Sequence, residues 1–146
     1  MSHKPKKLVE ECREHNNTEL DLLDKQIVSL IDVPGLFELK NLTRLTLSHN
    51  KIASLPPNIA DFENLEALNL FNNHLKDLPP SISGLKKLKL LNLGMNKLTS
   101  LPRGFGSFPV LEVLDLTYNN LSEKQLPGNF FCLDTLRALY LGDNDF

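Results

Sequence analysis

Four histidines (His3, His15, His49, His74) and two cysteines (Cys12, Cys132) are the side chains best suited to hold a metal or to attack an electrophile. A structural zinc site needs four such ligands, usually in two closely spaced pairs. No set of these residues has that spacing, so neither a metal nor any cofactor is expected. Gly104-Phe105-Gly106 is a fragment of a phosphate loop at most, because no Gly-Lys follows it to open a helix. No Ser, His and Asp stand in a nucleophile motif either. The chemistry left to this chain is recognition, and no enzyme activity is expected.

The elements that would position a recognition surface repeat along the chain. Leu42-x-x-Leu45-x-Leu47-x-x-Asn50-x-Ile52-x-x-Leu55-Pro56 is followed by an equivalent block from Leu65 to Pro79, another from Leu88 to Pro102, and a fourth from Leu111 to Leu121. Leu47, Leu70, Leu93 and Leu116 are 23 residues apart. This is the leucine-rich repeat pattern. It implies an α/β solenoid, a horseshoe with a parallel sheet on its concave face and short turns or 3₁₀ pieces on its convex face. The two leucines of each Leu-x-Leu share one face of a short strand, and that face is buried only when the next strand stacks beside it at about 4.8 Å. Asn50, Asn73, Asn96, Asn119 and Asn144 would form a ladder whose amides satisfy the turns leaving the strands. On the return path Ile59 and Phe62, Ile82 and Leu85, and Phe105 and Phe108 are three apart, the spacing of one side of a 3₁₀ turn.

Departures from the pattern mark the ends. Leu20-x-Leu22-x-x-Lys25-x-Ile27 is a degenerate first copy, with a step of 25 residues from Leu22 to Leu47. Lys6 to His15 reads as a capping helix with Leu8, Val9 and Cys12 on its apolar side. Residues 1–17 are therefore expected to be a tail and capping helix, and residues 18–146 an array of five repeats and a truncated sixth. The first five residues are expected to be disordered. Ser122 to Gln125 carry a two-residue insertion, and Phe146 stands at the position of Ile52, in mid-repeat.

Composition narrows the partner. The net charge is −2 with both signs interspersed, so neither nucleic acid nor an anionic membrane is the expected partner. No apolar run approaches the roughly 18 residues of a membrane span. Two cysteines at opposite ends of the array are too far apart to bridge. A reducing, cytoplasmic setting is the expectation, with Cys132 packed or partly packed rather than reactive.

The outward strand positions are the informative variables. One column holds Asp21, Thr46, Asn69, Asn92, Asp115 and Tyr140, and the column before it holds Glu19, Arg44, Ala67, Leu90, Val113 and Ala138. Two columns after hold Leu23, Ser48, Phe71, Gly94, Thr117, Gly142 and Asp24, His49, Asn72, Met95, Tyr118, Asp143. A merely solvated face would be polar throughout. Phe71, Met95, Val113, Tyr118 and Tyr140 instead suggest a protein-binding cluster, with Asn69 and Asn92 as polar contacts and Arg44 and Asp115 setting orientation. The alternative is that Phe71, Leu90 and Val113 tuck into the strands and expose little.

Off-consensus residues add a resemblance. Leu91-Asn92-Leu93-Gly94-Met95-Asn96, Leu101-Pro102-Arg103-Gly104-Phe105-Gly106-Ser107 and Leu114-Asp115-Leu116-Thr117-Tyr118-Asn119-Asn120-Leu121-Ser122-Glu123 resemble the Ras suppressor family. So do Leu126 to Phe131, Leu136 to Leu141 and the opening Lys6 to Glu11. The resemblance covers the whole chain as the N-terminal half of a longer array. It implies an adaptor that binds the last LIM domain of PINCH, joins the integrin-linked kinase–PINCH–parvin complex at focal adhesions and opposes Ras signalling. A complete array is expected to be monomeric. The Shoc-2 group shares the Leu-Pro repeat and offers the alternative, a scaffold for Ras or a phosphatase catalytic subunit.

Overall fold

The computed structural model describes residues 4–146. Six three-residue strands, β1 (Glu19–Asp21), β2 (Arg44–Thr46), β3 (Ala67–Asn69), β4 (Leu90–Asn92), β5 (Val113–Asp115) and β6 (Ala138–Tyr140), pair in chain order as one parallel sheet. The register aligns Leu20, Leu45, Leu68, Leu91, Leu114 and Leu139 across the sheet. A 23-residue step permits this, since each repeat returns to the same height before the next strand begins. Leu45, Leu68, Leu91 and Leu114 are at most 1% exposed, whereas Leu139 is 40% exposed because β6 has no further neighbour among the described residues.

The asparagine ladder holds the turns. Asn96 Oδ1 accepts from the Leu75 N–H at 3.0 Å, and its Nδ2 donates to the Leu70 and Leu93 carbonyls at 3.0 Å each. Asn73 and Asn119 bridge their neighbouring repeats the same way. Asn50 does so with the degenerate first repeat, accepting from Lys25 and Ile27 N–H. A side chain with both a donor and an acceptor is required, and asparagine is the short one that reaches. Among the described residues no buried side-chain polar atom lacks a partner.

The convex side is built from 3₁₀ turns at Pro57–Asp61, Pro80–Gly84, Phe105–Ser107 and Phe130–Cys132. Proline opens the first two, where its missing N–H costs nothing. Ile59, Phe62, Ile82, Leu85, Phe105 and Phe108 are all buried beneath them. The insertion forms its own turn, Glu123–Gln125, outside the core.

Helix α1 (Pro5–Glu14) packs against β1 and buries Val9 and Cys12, with Leu8 half-buried beside them. Arg13 reaches Glu38 at 3.1 Å, passing over Gly35, whose left-handed φ of +80° and missing side chain leave that space free.

Three expectations change. Pro5 is the first helical residue, because its fixed φ suits position N1; the expectation for residues 1–3 lies outside the described residues. Cys132 is exposed. Phe130 takes the inward place in that turn, stacking at 6.3 Å on Phe105, and so Phe131 and Cys132 are left outside. Ser48, placed in an outward column, is buried at 6%.

Candidate protein-binding face

The strands present one face to the concave side, and its composition changes along the array. Met95, Tyr118 and Tyr140 are 42%, 56% and 52% exposed. Phe71, Leu90 and Val113 are half-buried, so the tucked-in alternative holds for them in part. The ring of Phe71 lies over Gly94, where a side chain would meet it, and packs edge-on against His49 at 5.7 Å between centroids. Phe71 thus forms a fixed floor at the β3 side of the more exposed side chains.

Backbone conformation explains which residues stand out. Asp24, His49, Asn72, Met95, Tyr118 and Asp143 all have φ between 52° and 59°, the left-handed region, as the chain turns from strand to asparagine. Asp, Asn and His tolerate that region best among non-glycine residues. Four of the six positions carry those types. Met95 and Tyr118 do not, and they are neighbours in the middle of the array. They are the members with large apolar surface in a column whose Asp24, His49 and Asp143 are likewise exposed.

The polar candidates have work within the fold. Asn69 Oδ1 accepts from the Phe71 N–H and Asn92 Oδ1 from the Gly94 N–H, each at 3.0 Å. Asp115 Oδ1 accepts from the Thr117 N–H at 2.9 Å and from its hydroxyl at 2.8 Å. Each is an Asx turn that starts the bend out of the strand. One oxygen is occupied and the other polar atoms remain for a partner. Arg44 is exposed and lies 3.4 Å from Glu19 across β1 and β2, a pair too solvated to hold it rigidly.

Arg44 sits three strands from Asp115, so Arg44 lies at the β2 side of the apolar patch while Asp115 lies within it, beside Tyr140. Two further residues join the face. Leu23 is 43% exposed at its first turn, and Asp143 follows Tyr118 in the left-handed column. Each lies 25 residues from its neighbour in the column, and the strand register aligns both with the other members; the Asp, His and Asn preference of that column was the signal for its conformation.

The arrangement suits contact with a broad surface. A depression of about 530 Å³ lies at its edge, lined by Leu23, Asp24, His49, Asn50, Lys51, Asn72 and His74. Asn72 Nδ2 and His49 Nδ1 are 2.8 Å apart there and engage each other. Among the described residues no group of three His, Cys, Asp or Glu could hold a metal, and no helix is long and apolar enough to cross a membrane.

Comparison with known proteins agrees with this architecture. The family model described as "Leucine-rich repeat region" matches residues 18–145. Ras suppressor protein 1 of Homo sapiens is 69% identical over 146 residues, all of this chain and 53% of that protein. Ras suppressor protein 1 of Bos taurus is 67% identical over the same 146 residues, again 53% of its length. A third match, Ras suppressor protein 1 of Mus musculus, is 63% identical over 60 residues, 41% of this chain. The chain thus spans about half the length of the first two curated relatives. With a repeat match over nearly its whole length and six strands in unbroken parallel register, the chain belongs to the leucine-rich repeat family.

Proposed function

We propose that this chain is a non-catalytic adaptor whose concave face binds a protein partner, the last LIM domain of PINCH. In that role it would act in the cytoplasm, at focal adhesions within the integrin-linked kinase–PINCH–parvin complex, as a monomer once its array is complete. The restraint of Ras signalling follows the name of its relatives, Ras suppressor protein 1. The observation that carries the reading is the exposure of Met95, Tyr118 and Tyr140 on adjacent strands or their turns, over the half-buried Phe71. Exposed aromatic and thioether side chains ringed by polar ones are what protein interfaces concentrate. A Shoc-2-like scaffold would use the same surface for Ras or a phosphatase catalytic subunit.

The test is a pull-down with purified PINCH LIM domains against Ras–GTP and phosphatase catalytic subunits, followed by titration calorimetry. Truncating an aromatic anchor often costs about 2 kcal/mol, roughly thirtyfold in affinity. Phe71→Ala and Tyr118→Ala should weaken LIM binding by about that factor, while Asn58→Ala and Ser81→Ala on the convex side leave it intact. Loss of binding in the convex variants alone would overturn the surface assignment. Capture of Ras–GTP or a phosphatase in place of the LIM domain would favour the scaffold.

A further inference from the structure

We infer that Asp115, Tyr118, Tyr140 and Asp143 form a subsite for one cationic side chain, an arginine or lysine, of the protein partner. The inference rests on the concave-face reading above and names the chemistry of its most exposed part. Asp115 and Tyr140 are register partners on β5 and β6. The Tyr118 N–H donates to the Gly142 carbonyl at 3.0 Å, which sets Tyr118 beside the turn that carries Asp143. Two tyrosines, both more than half exposed, therefore stand with two carboxylates on adjacent strands and their turns.

Among the described residues, no cation on β4, β5 or β6 answers these carboxylates. The outward positions of these strands and of the turns that follow them carry no basic residue. Arg137 belongs to the strand-entry row and lies 3.7 Å from Glu112. Arg44 is three strands away from Asp115, about 14 Å at the usual strand spacing, and close to Glu19. Aromatic faces attract a guanidinium or ammonium, and a carboxylate adds a charge-assisted hydrogen bond.

The fold itself does not require the charges. At the position of Asp115 the two preceding repeats use Asn69 and Asn92 and make the same turn bond at 3.0 Å. At the position of Asp143 another repeat uses Asn72 in the same left-handed conformation. Neutral asparagine thus performs the structural task in this very chain, and the negative charge is an addition local to the tyrosines.

The same precedent supplies the test. The paired variant Asp115→Asn with Asp143→Asn, and separately Tyr118→Asn, are titrated with the purified last LIM domain of PINCH at low and high salt. The paired variant should keep the native melting temperature, weaken binding by about tenfold at low salt and flatten the salt dependence of the native chain. Tyr118→Asn should weaken binding at both salt levels. If Tyr118→Asn weakens binding and the paired variant matches the native chain, the cation subsite is wrong and the concave-face reading stands. If neither changes binding, that reading fails and the subsite falls with it. A large drop in melting temperature in the paired variant would show that the carboxylates are structural, which also overturns the subsite.

Discussion

The backbone N–H of Gly106 donates to Asn129 Oδ1 at 3.0 Å, and the space where Gly106 would carry a side chain is filled by the Asn129 carbonyl. The repeat after the insertion therefore closes onto the preceding 3₁₀ turn backbone to backbone. The inserted residues bulge outward at Glu123–Gln125, so the chain is back against the core by Phe130.

Gly106→Ala should accordingly destabilise the chain by roughly 1–3 kcal/mol, the usual cost of forced overpacking. Nothing lies within 4 Å of a side chain built on Gly128, and Gly128→Ala should stay within about 0.5 kcal/mol. Urea midpoints of the two variants check this; equal midpoints would contradict the close approach.

Leu68 and Leu91 face each other in β3 and β4 and are fully buried. Replacement of either by alanine should cost about 2–5 kcal/mol through lost burial and the cavity left behind. Lys76 and Lys97 are exposed, and their alanine variants should shift stability by less than about 0.5 kcal/mol. Chemical denaturation of the four variants separates core from surface directly.

Asn96→Ala removes a side chain that satisfies four buried backbone groups, and about 1–3 kcal/mol of stability should go with it. Asn72 would make a poor silent control despite its solvent-facing place in the repeat. It is half-buried, engages His49 and has φ 59°, so alanine there is strained as well as unpartnered. Thr99, exposed on the return path, is the better comparison, and Thr99→Ala should be nearly neutral in the same unfolding assay.

The two cysteines should react at very different rates in the native protein. Cys132 is exposed, whereas Cys12 is buried on the inner face of α1, and desolvation there raises its thiol above the ordinary value. A thiol reagent at neutral pH should label Cys132 fast and Cys12 only on unfolding. The sign of the linked pH effect follows. A folded-state value above the unfolded one gives stability that is fully present below the unfolded pKa, about 8.5. That stability is lost as pH rises through the folded value. Unfolding curves between neutral and strongly alkaline pH should show this decline in the native chain and a weaker one in Cys12→Ala.

The sequence by itself determined the solenoid. A 23-residue step of leucines and an asparagine at one fixed place in each repeat point to one arrangement, because stacked parallel strands bury the leucines and satisfy the turns at once. The outward columns were legible for the same reason, since alternation along a strand follows from backbone geometry alone. What the tertiary structure decided was how far each outward side chain is exposed. Phe71 is half-buried because Gly94, 23 residues on, leaves room for its ring, a contact between repeats that spacing does not weigh. Cys132 lies outside because Phe130 is larger and stacks on Phe105 in the one inward place of that turn. Met95 and Tyr118 are exposed, with Asp24, His49 and Asp143, because their column turns out of the strand in left-handed backbone just before the buried asparagines that tie each repeat to the next.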